Sequence, residues 1–427
     1  MELGGLIEMS RRYGSDANYV LAGGGNTSYK EPAGAGEVMA VKASGTALGD
    51  IDEDGFVLMD AGKLRDMTKK AYPDSDDERE ACAIKDMMDA RMEGQGDKRP
   101  SVECILHALF PQPYVLHVHP AIINGVTCGK YGFEAASSLF FDRYNELLWM
   151  PLTKPGYILS KVCADAFEEH RESYEEYPSM LLLQNHGIFI AGETVEEIDA
   201  SMEYIISRIS QNVARKPDFS HVTLAAFPSG GQKGTFVCPE PDEDDYAPRE
   251  GDPADADKIE SVASALKAAY GEGDMAFASF QRYVEILLLT EYESAAAPLM
   301  QPFTPDHIVY DKAYPLWIPK SCIGGVAGTY TGDGRAAVDA EAIGARFAEF
   351  VEKNAFKPKV VLVERLGAFT LGSSAYEADT AGALLMDAVR IATYSESFGG
   401  PRALPEDFIK FILNWEIESY RQKKSFG

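Results

Sequence analysis

Hydrophobic residues recur at helical spacing from the first turn of the chain. Leu3, Leu6, Ile7 and Met9 make one apolar face over residues 2–13, which predicts a short amphipathic helix. Val38 to Val41 reads as a strand, and residues 52–60 (DEDGFVLMD) as a turn and a strand. The acidic run 74–80 reads as a solvated turn or helix start. RPSVECILHALF predicts a helix beginning just after Pro100, with Ser101 as N-cap and Glu103 in the first turn. Val115 to Val118 reads as a strand, and LTKPGYILSK as a turn opening a helix. Residues 180–210 hold two apolar strands, Leu181–Leu183 and Gly187–Ile190, with a long helix after Gly192-Glu193-Thr194.

The pattern then breaks. Residues 239–257 contain nine acidic residues, one basic residue and four prolines, too little apolar surface to bury, so this stretch predicts an exposed connector. Beyond it, helices are expected near 259–270 and 276–292, and strands around 305–310 (PDHIVY) and 359–364 (KVVLVE). Residues 359–392 also lie over the 180–210 unit at an offset of 180. Leu182, Gly187, Phe189, Gly192, Glu197 and Asp199 meet Leu362, Gly367, Phe369, Gly372, Glu377 and Asp379, which predicts a duplicated strand–turn–strand–helix unit. His186 meets Leu366, so the second copy is expected to lack whatever His186 does.

Composition narrows the function. With 427 residues the chain can hold two or more cores, and 45% hydrophobic with 25% charged residues is ordinary for a globular protein. A net charge of −27 argues against a sequence-independent grip on nucleic acid and against anionic membranes, leaving a small-molecule partner. No run approaches the roughly 20 apolar residues of a membrane span. The start lacks the apolar core and cleavage site of a signal peptide, and six scattered cysteines without CxxC pairs fit reduced thiols; a cytoplasmic protein is expected.

Candidate chemistry centres on His117 and His119. On a strand they share one face, about 7 Å apart at their roots, close enough for two imidazoles to meet one cation. Alone, HxH is more often a wet strand face. His186, in Asn185-His186-Gly187, sits between two strands where a turn is the plainer reading. The glycines of LAGGGNTSYK (21–30), and Ser44-Gly45 in KASG, can turn the backbone and aim N–H groups at an anion, although neither is a Walker loop. His107 lies one turn beyond Glu103 on the same helical face and reads as packed or supporting rather than as a ligand.

GGGNTSYK, KASG, PSVE, HVHP and NHG, in this order and spacing, resemble the class II aldolase/adducin family over about residues 1–215. The layout is most similar to the aldolase portion of bifunctional rhamnulose-phosphate aldolase/short-chain dehydrogenase proteins. No GxGxxG fingerprint is present, so the dehydrogenase portion is not expected here. The resemblance implies an α/β fold: a three-layer αβα domain with a mainly antiparallel sheet at 1–225, the connector at 226–257, and a second α/β domain at 258–427, read as a degenerate copy without the metal. It implies that His117, His119 and His186 hold Zn²⁺ (or Mn²⁺, Co²⁺ or Fe²⁺), that Glu103 is the catalytic acid/base, and that a phosphate lies among Gly25, Asn26, Ser44, Gly45 and Ser101. Val102 stands where these aldolases often have a second serine, which weakens the phosphate assignment. The implied reaction is cleavage of a ketose 1-phosphate of the rhamnulose or fuculose type, by a homo-oligomer, to dihydroxyacetone phosphate and an aldehyde through an enediolate. A pentulose-phosphate 4-epimerase, a dehydratase or decarboxylase, and a non-enzymatic adducin-like assembly domain are the alternatives.

Overall fold

The computed structural model describes residues 1–224, 249–251, 254–271, 277–324 and 338–414. They form two compact units, one of residues 1–214 with the segment from 394 onward, the other of residues 215–393. This division differs from the expected 1–225, 226–257 and 258–427, because residues 394–414 pack with the first unit. Most of the acidic connector lies outside the described residues.

The first unit opens with α1 (Gly4–Gly14), β1 (Asn26–Ala33), β2 (Gly36–Lys42) and β3 (Phe56–Asp60). Helices α2 (Ala61–Met67), α3 (Asp76–Asp89) and α4 (Cys104–Leu109) lead to β4 (Tyr114–Val118). Then follow α5 (Ala121–Thr127), α6 (Gly132–Leu139), β5 (Leu147–Met150), α7 (Tyr157–Tyr174), β6 (Met180–Leu183), β7 (Gly187–Gly192) and α8 (Val195–Ser210). The seven strands run β3-β2-β1-β4-β7-β6-β5, and every pair is antiparallel except β5 with β6.

Alternation along the strands builds the layers. Leu116 and Val118 of β4 face one core with Leu6 and Met9 of α1, Ile123 of α5, Ala136 of α6 and Ile205 of α8. Val115 faces the opposite side, where Leu106 of α4 and Cys163 and Phe167 of α7 pack. Leu64 of α2 and Met87 of α3 extend that second layer, completing the αβα arrangement. Two local expectations are adjusted. The 99–110 helix begins at Cys104, with Glu103 rather than Ser101 at the N-cap position, although Ser101 Oγ still accepts from the Glu103 N–H (3.3 Å). The 74–80 run is a helix start, as expected, but not wholly solvated: Arg79 and Glu80 are buried and lie beside each other at 3.6 Å.

The second unit carries a small parallel pair, β8 (Val222–Leu224) and β9 (Arg249–Gly251), then α9 (Ala254–Tyr270), β10 (Phe277–Gln281), α10 (Val284–Leu289), α11 (Pro305–Asp311) and β11 (Leu316–Ile318). It ends with α12 (Ala340–Asn354), β12 (Val360–Val363), β13 (Gly367–Gly372) and α13 (Ala375–Ser395). The four-stranded sheet runs β10-β13-β12-β11, the order of β4-β7-β6-β5. Register repeats as well: Met180 faces Ile190 and Val360 faces Thr370, both shifted by 180. Trp149 faces Leu182 and Trp317 faces Leu362 in the one parallel pair of each sheet. The duplicated unit expected from the sequence is present as sheet order and register.

Two expectations in this half are corrected. Residues 276–292 are not one helix: 277–281 join the sheet edge as β10, pairing with β13, so tertiary pairing overrides local propensity. PDHIVY is helical, not extended. Proline at the first helical position favours a helix start, and every residue of α11 is buried, so no polar face was left to reveal its period.

Within the first unit, the segment around Phe398 to Arg402 packs at the α5 end, and α14 (Glu406–Asn414) lies near the start of α3, where Lys154 stands over the Phe411 ring (5.0 Å). Phe398 joins the core of Ile123 and Val126, and the Arg402 N–H donates to the Cys128 carbonyl (2.7 Å).

Candidate metal centre

His117 occupies the centre of the larger sheet. Its strand neighbours in register are Asn26 on β1 and Phe189 on β7. The imidazole is fully buried and stacks on Phe189, ring centres 3.9 Å apart. Its Nδ1 lies 2.9 Å from the Ile188 carbonyl, an acceptor only, so Nδ1 carries the proton and Nε2 presents a lone pair. Burial pushes the His117 imidazole down to about 4, against the pull of Glu103, which keeps it neutral.

His119 follows on the same face, its Nε2 2.8 Å from His117 Nε2. His186 comes from the turn between β6 and β7. Asn185 turns the chain with a φ of 57°, and its N–H donates to the Thr127 carbonyl (3.1 Å). Asn185 Nδ2 donates to the Arg402 carbonyl (2.7 Å), and Asn124 Nδ2 to the His186 carbonyl (3.2 Å). Gly187 has to be glycine: a Cβ there would lie 2.5 Å from the Val118 carbonyl oxygen and 2.6 Å from the His119 ring. The ligating atoms of His117, His119 and His186 all fall within 4.8 Å of one another.

Glu103 closes the group. Its Oε1 is 3.3 Å from His117 Nε2 and 3.2 Å from His186 Nε2. Burial works against its charge, but the two imidazoles outweigh that and hold the carboxyl well below the usual carboxylate range. Its Oε2 accepts from Asn26 Nδ2 (2.7 Å). Asn26 Oδ1 in turn accepts from His107 Nε2, and His107 Nδ1 accepts from Ser28 Oγ (2.8 Å). Because the carboxylate can only accept, the donors run one way, Ser28 to His107 to Asn26 to Glu103. His107 therefore supports the site as expected and ligates nothing.

Hydrogen bonds join the three stretches that carry the anion-site candidates Gly25, Asn26, Ser44, Gly45 and Ser101. Lys42 Nζ donates to the Gly25 carbonyl (2.7 Å) and the Gly23 carbonyl (3.0 Å). Ser44 N–H donates to the Arg99 carbonyl (2.8 Å), beside the Ala43–Pro100 bridge. Ser101 Oγ accepts from the Glu103 N–H (3.3 Å). Gly25 is required by a φ of 65° and by the His117 carbonyl, 2.9 Å from where a Cβ would stand. The Asn26 side chain, however, is engaged on both sides by His107 and Glu103, and its backbone is paired with His117 in the β1–β4 ladder. Sequence reasoning missed Lys42, whose signal was a lysine closing an apolar strand (VMAVK), and Arg402, which left no local signal.

Residues 5–211 match the Class II Aldolase and Adducin N-terminal domain, and residues 256–421 match the model called Aldolase class II, second domain. The chain belongs to the class II aldolase/adducin family. Over 446 aligned residues it is 24% identical to the protein named Uncharacterized oxidoreductase YuxG of Bacillus subtilis, covering 97% of this chain. The chain spans 57% of that relative's length. The N-terminal class II aldolase domain of a Thermoplasma acidophilum protein is 26% identical, with 49% of this chain and 93% of that one covered and a TM-score of 0.41. L-fuculose-1-phosphate aldolase from Thermus thermophilus is 16% identical, with 48% and 93% covered and a TM-score of 0.30.

Within this family frame the second unit keeps the scaffold and not the site. The residue in register with Phe369 is Phe280, as His117 is with Phe189. Leu366 takes the place of His186, and both Phe280 and Leu366 pack into apolar core. In the first unit three imidazole nitrogens and a carboxylate oxygen, nearly all acceptors, converge on one point. Such a set repels itself unless a cation or a proton is shared among its members, and imidazole with carboxylate suits a divalent transition metal.

Proposed function

We propose that the chain is a metal-dependent lyase that cleaves a ketose 1-phosphate of the rhamnulose or fuculose type to dihydroxyacetone phosphate and an aldehyde. The observation that carries this reading is the convergence of His117, His119 and His186 with Glu103 at their centre. The three imidazoles would hold Zn²⁺, with Mn²⁺, Co²⁺ or Fe²⁺ as substitutes. When bound, the cation supplies Lewis-acid polarisation of a substrate carbonyl.

The chain's own residues do the rest. Glu103 Oε2 is occupied by Asn26, so Oε1 is the oxygen free to take and return a proton at the substrate carbon that becomes the enediolate carbon. His119 and His186 are only partly buried, leaving the group accessible from one side. The Gly25 and Gly45 N–H groups and the Ser44 and Ser101 hydroxyls would hold the phosphate end, the Ser44 and Ser101 N–H groups being already bonded. Val102 supplies no hydroxyl, which favours a weaker grip on phosphate. The adducin-like alternative loses ground because all three histidines are present and brought together. An epimerase or dehydratase would use the same residues.

The test is a panel of ketose 1-phosphates and pentulose phosphates given to protein of measured metal content. Stoichiometric metal with release of dihydroxyacetone phosphate is expected. Metal-free protein after careful purification, or product from pentulose phosphates alone, would overturn the reading.

A further inference from the structure

We propose that the second unit binds a small organic ammonium ion in the cavity beside Asp311, at the end of α11. The cavity is lined by His307, Asp311, Lys312, Leu299, Pro302, Pro315 and Leu385, among others. Asp311 is only 7% exposed, and its Oδ1 has no hydrogen-bond partner. A buried carboxyl oxygen left unmatched is unfavourable, so the wall asks for a donor.

The neighbours define what kind of donor. His307 stands one helical turn from Asp311 on the same face of α11. Its Nδ1 accepts from the Phe303 N–H (3.3 Å) and its Nε2 donates to Asp387 Oδ2 (3.1 Å), so both nitrogens are occupied and the ring is a fixed wall. Lys359, a cation acting on Asp311, is itself ion-paired with Glu377 at 2.6 Å. Lys312 also lines the cavity, and burial disfavours its charge. The last carbonyls of α11 add negative potential where Asp311 sits. A divalent ion is poorly served, because among the described residues only the histidine triad gathers three metal-ligating side chains. A primary ammonium with a short alkyl body answers both features, giving N–H donors and charge to Asp311 and apolar contact to Leu299, Pro302, Pro315 and Leu385. Burial also pushes the Asp311 carboxyl well above its ordinary range, with Lys359 opposing, as expected of an acid that lacks a counter-charge.

The experiment is calorimetric titration of the full chain with n-propylammonium chloride, at ionic strength fixed by NaCl. Tetramethylammonium chloride serves as the control cation without an N–H. Saturable binding of n-propylammonium, no binding of tetramethylammonium, and a weakening of about tenfold or more in Asp311→Asn are expected. Ala388→Phe keeps the carboxylate and fills the cavity, and should abolish binding even if the Asn variant proves too unstable to titrate. Absence of saturable binding by the unaltered chain, equal binding by tetramethylammonium, or undiminished binding in the foldable variants would each overturn the proposal.

Discussion

Asn26 shows how one residue can be read correctly for place and incorrectly for use. It sits at the site, yet its amide bridges His107 and Glu103 rather than pointing at an anion. Replacing Asn26 by Ala should therefore lower kcat more than it raises KM for the phosphate-bearing substrate, since it unfixes the carboxylate and leaves the backbone N–H groups in place. A pure rise in KM would return Asn26 to anion binding. Glu103→Gln should keep the metal, checked by elemental analysis, while losing about a hundredfold or more of turnover. His119→Ala should lose most of the metal. Lys30 gives a prediction outside the chemistry. It is buried, its Nζ donates to the His107 carbonyl (3.1 Å), and burial pushes it down to about 7. The folded state thus holds fewer protons than the unfolded state between about pH 7 and the ordinary lysine range. The cost of burying the charge is full below about pH 7 and fades as pH rises. Relative to Lys30→Met, the unaltered chain should gain stability on the order of a few kcal/mol between about pH 7 and 10, read from denaturant midpoints at each pH.

At the scale of elements, what repeats is also what was legible. Both β-hairpins and both following helices of the duplicated unit follow from apolar runs bounded by Gly187 and Gly192, and by Gly367 and Gly372. The helix starts are equivalent in detail: Glu197 N–H donates to Thr194 Oγ1 (3.3 Å), and Glu377 N–H to Ser374 Oγ (3.1 Å). The side chains of Glu197 and Glu377 each accept from the backbone N–H of residue 193 or 373, one position before the cap. Thr194→Ala should cost about 1 kcal/mol, seen as a lower thermal midpoint with metal content unchanged. The elements that escaped are those whose period is masked. α11 is buried on all sides and β10 is a strand made of helix-tolerant residues. The three histidines that come together were legible through the order and spacing of GGGNTSYK, KASG, PSVE, HVHP and NHG, since HxH alone is more often a wet strand face. The His107–Asn26 bond was not, since it joins two elements 81 positions apart with no local trace.

At the scale of the whole molecule, the chain leaves the first unit at 214 and returns to it at 394. The return supplies Phe398 to the core and the Arg402 carbonyl to Asn185, next to His186. Order of synthesis then matters. Met1 to Ala214 contains every proposed ligand and the whole seven-stranded sheet, yet one bond of the turn that aims His186, from Asn185 Nδ2 to the Arg402 carbonyl, cannot form until residue 402 has been made. A nascent chain arrested before 394 should take up metal more weakly than one that extends past 414, measured by equilibrium competition with a chromogenic chelator. The first unit stays one anchor short until the whole of the second has been made, and if the proposed metal needs that anchor, its loading would follow the translation of about four hundred residues.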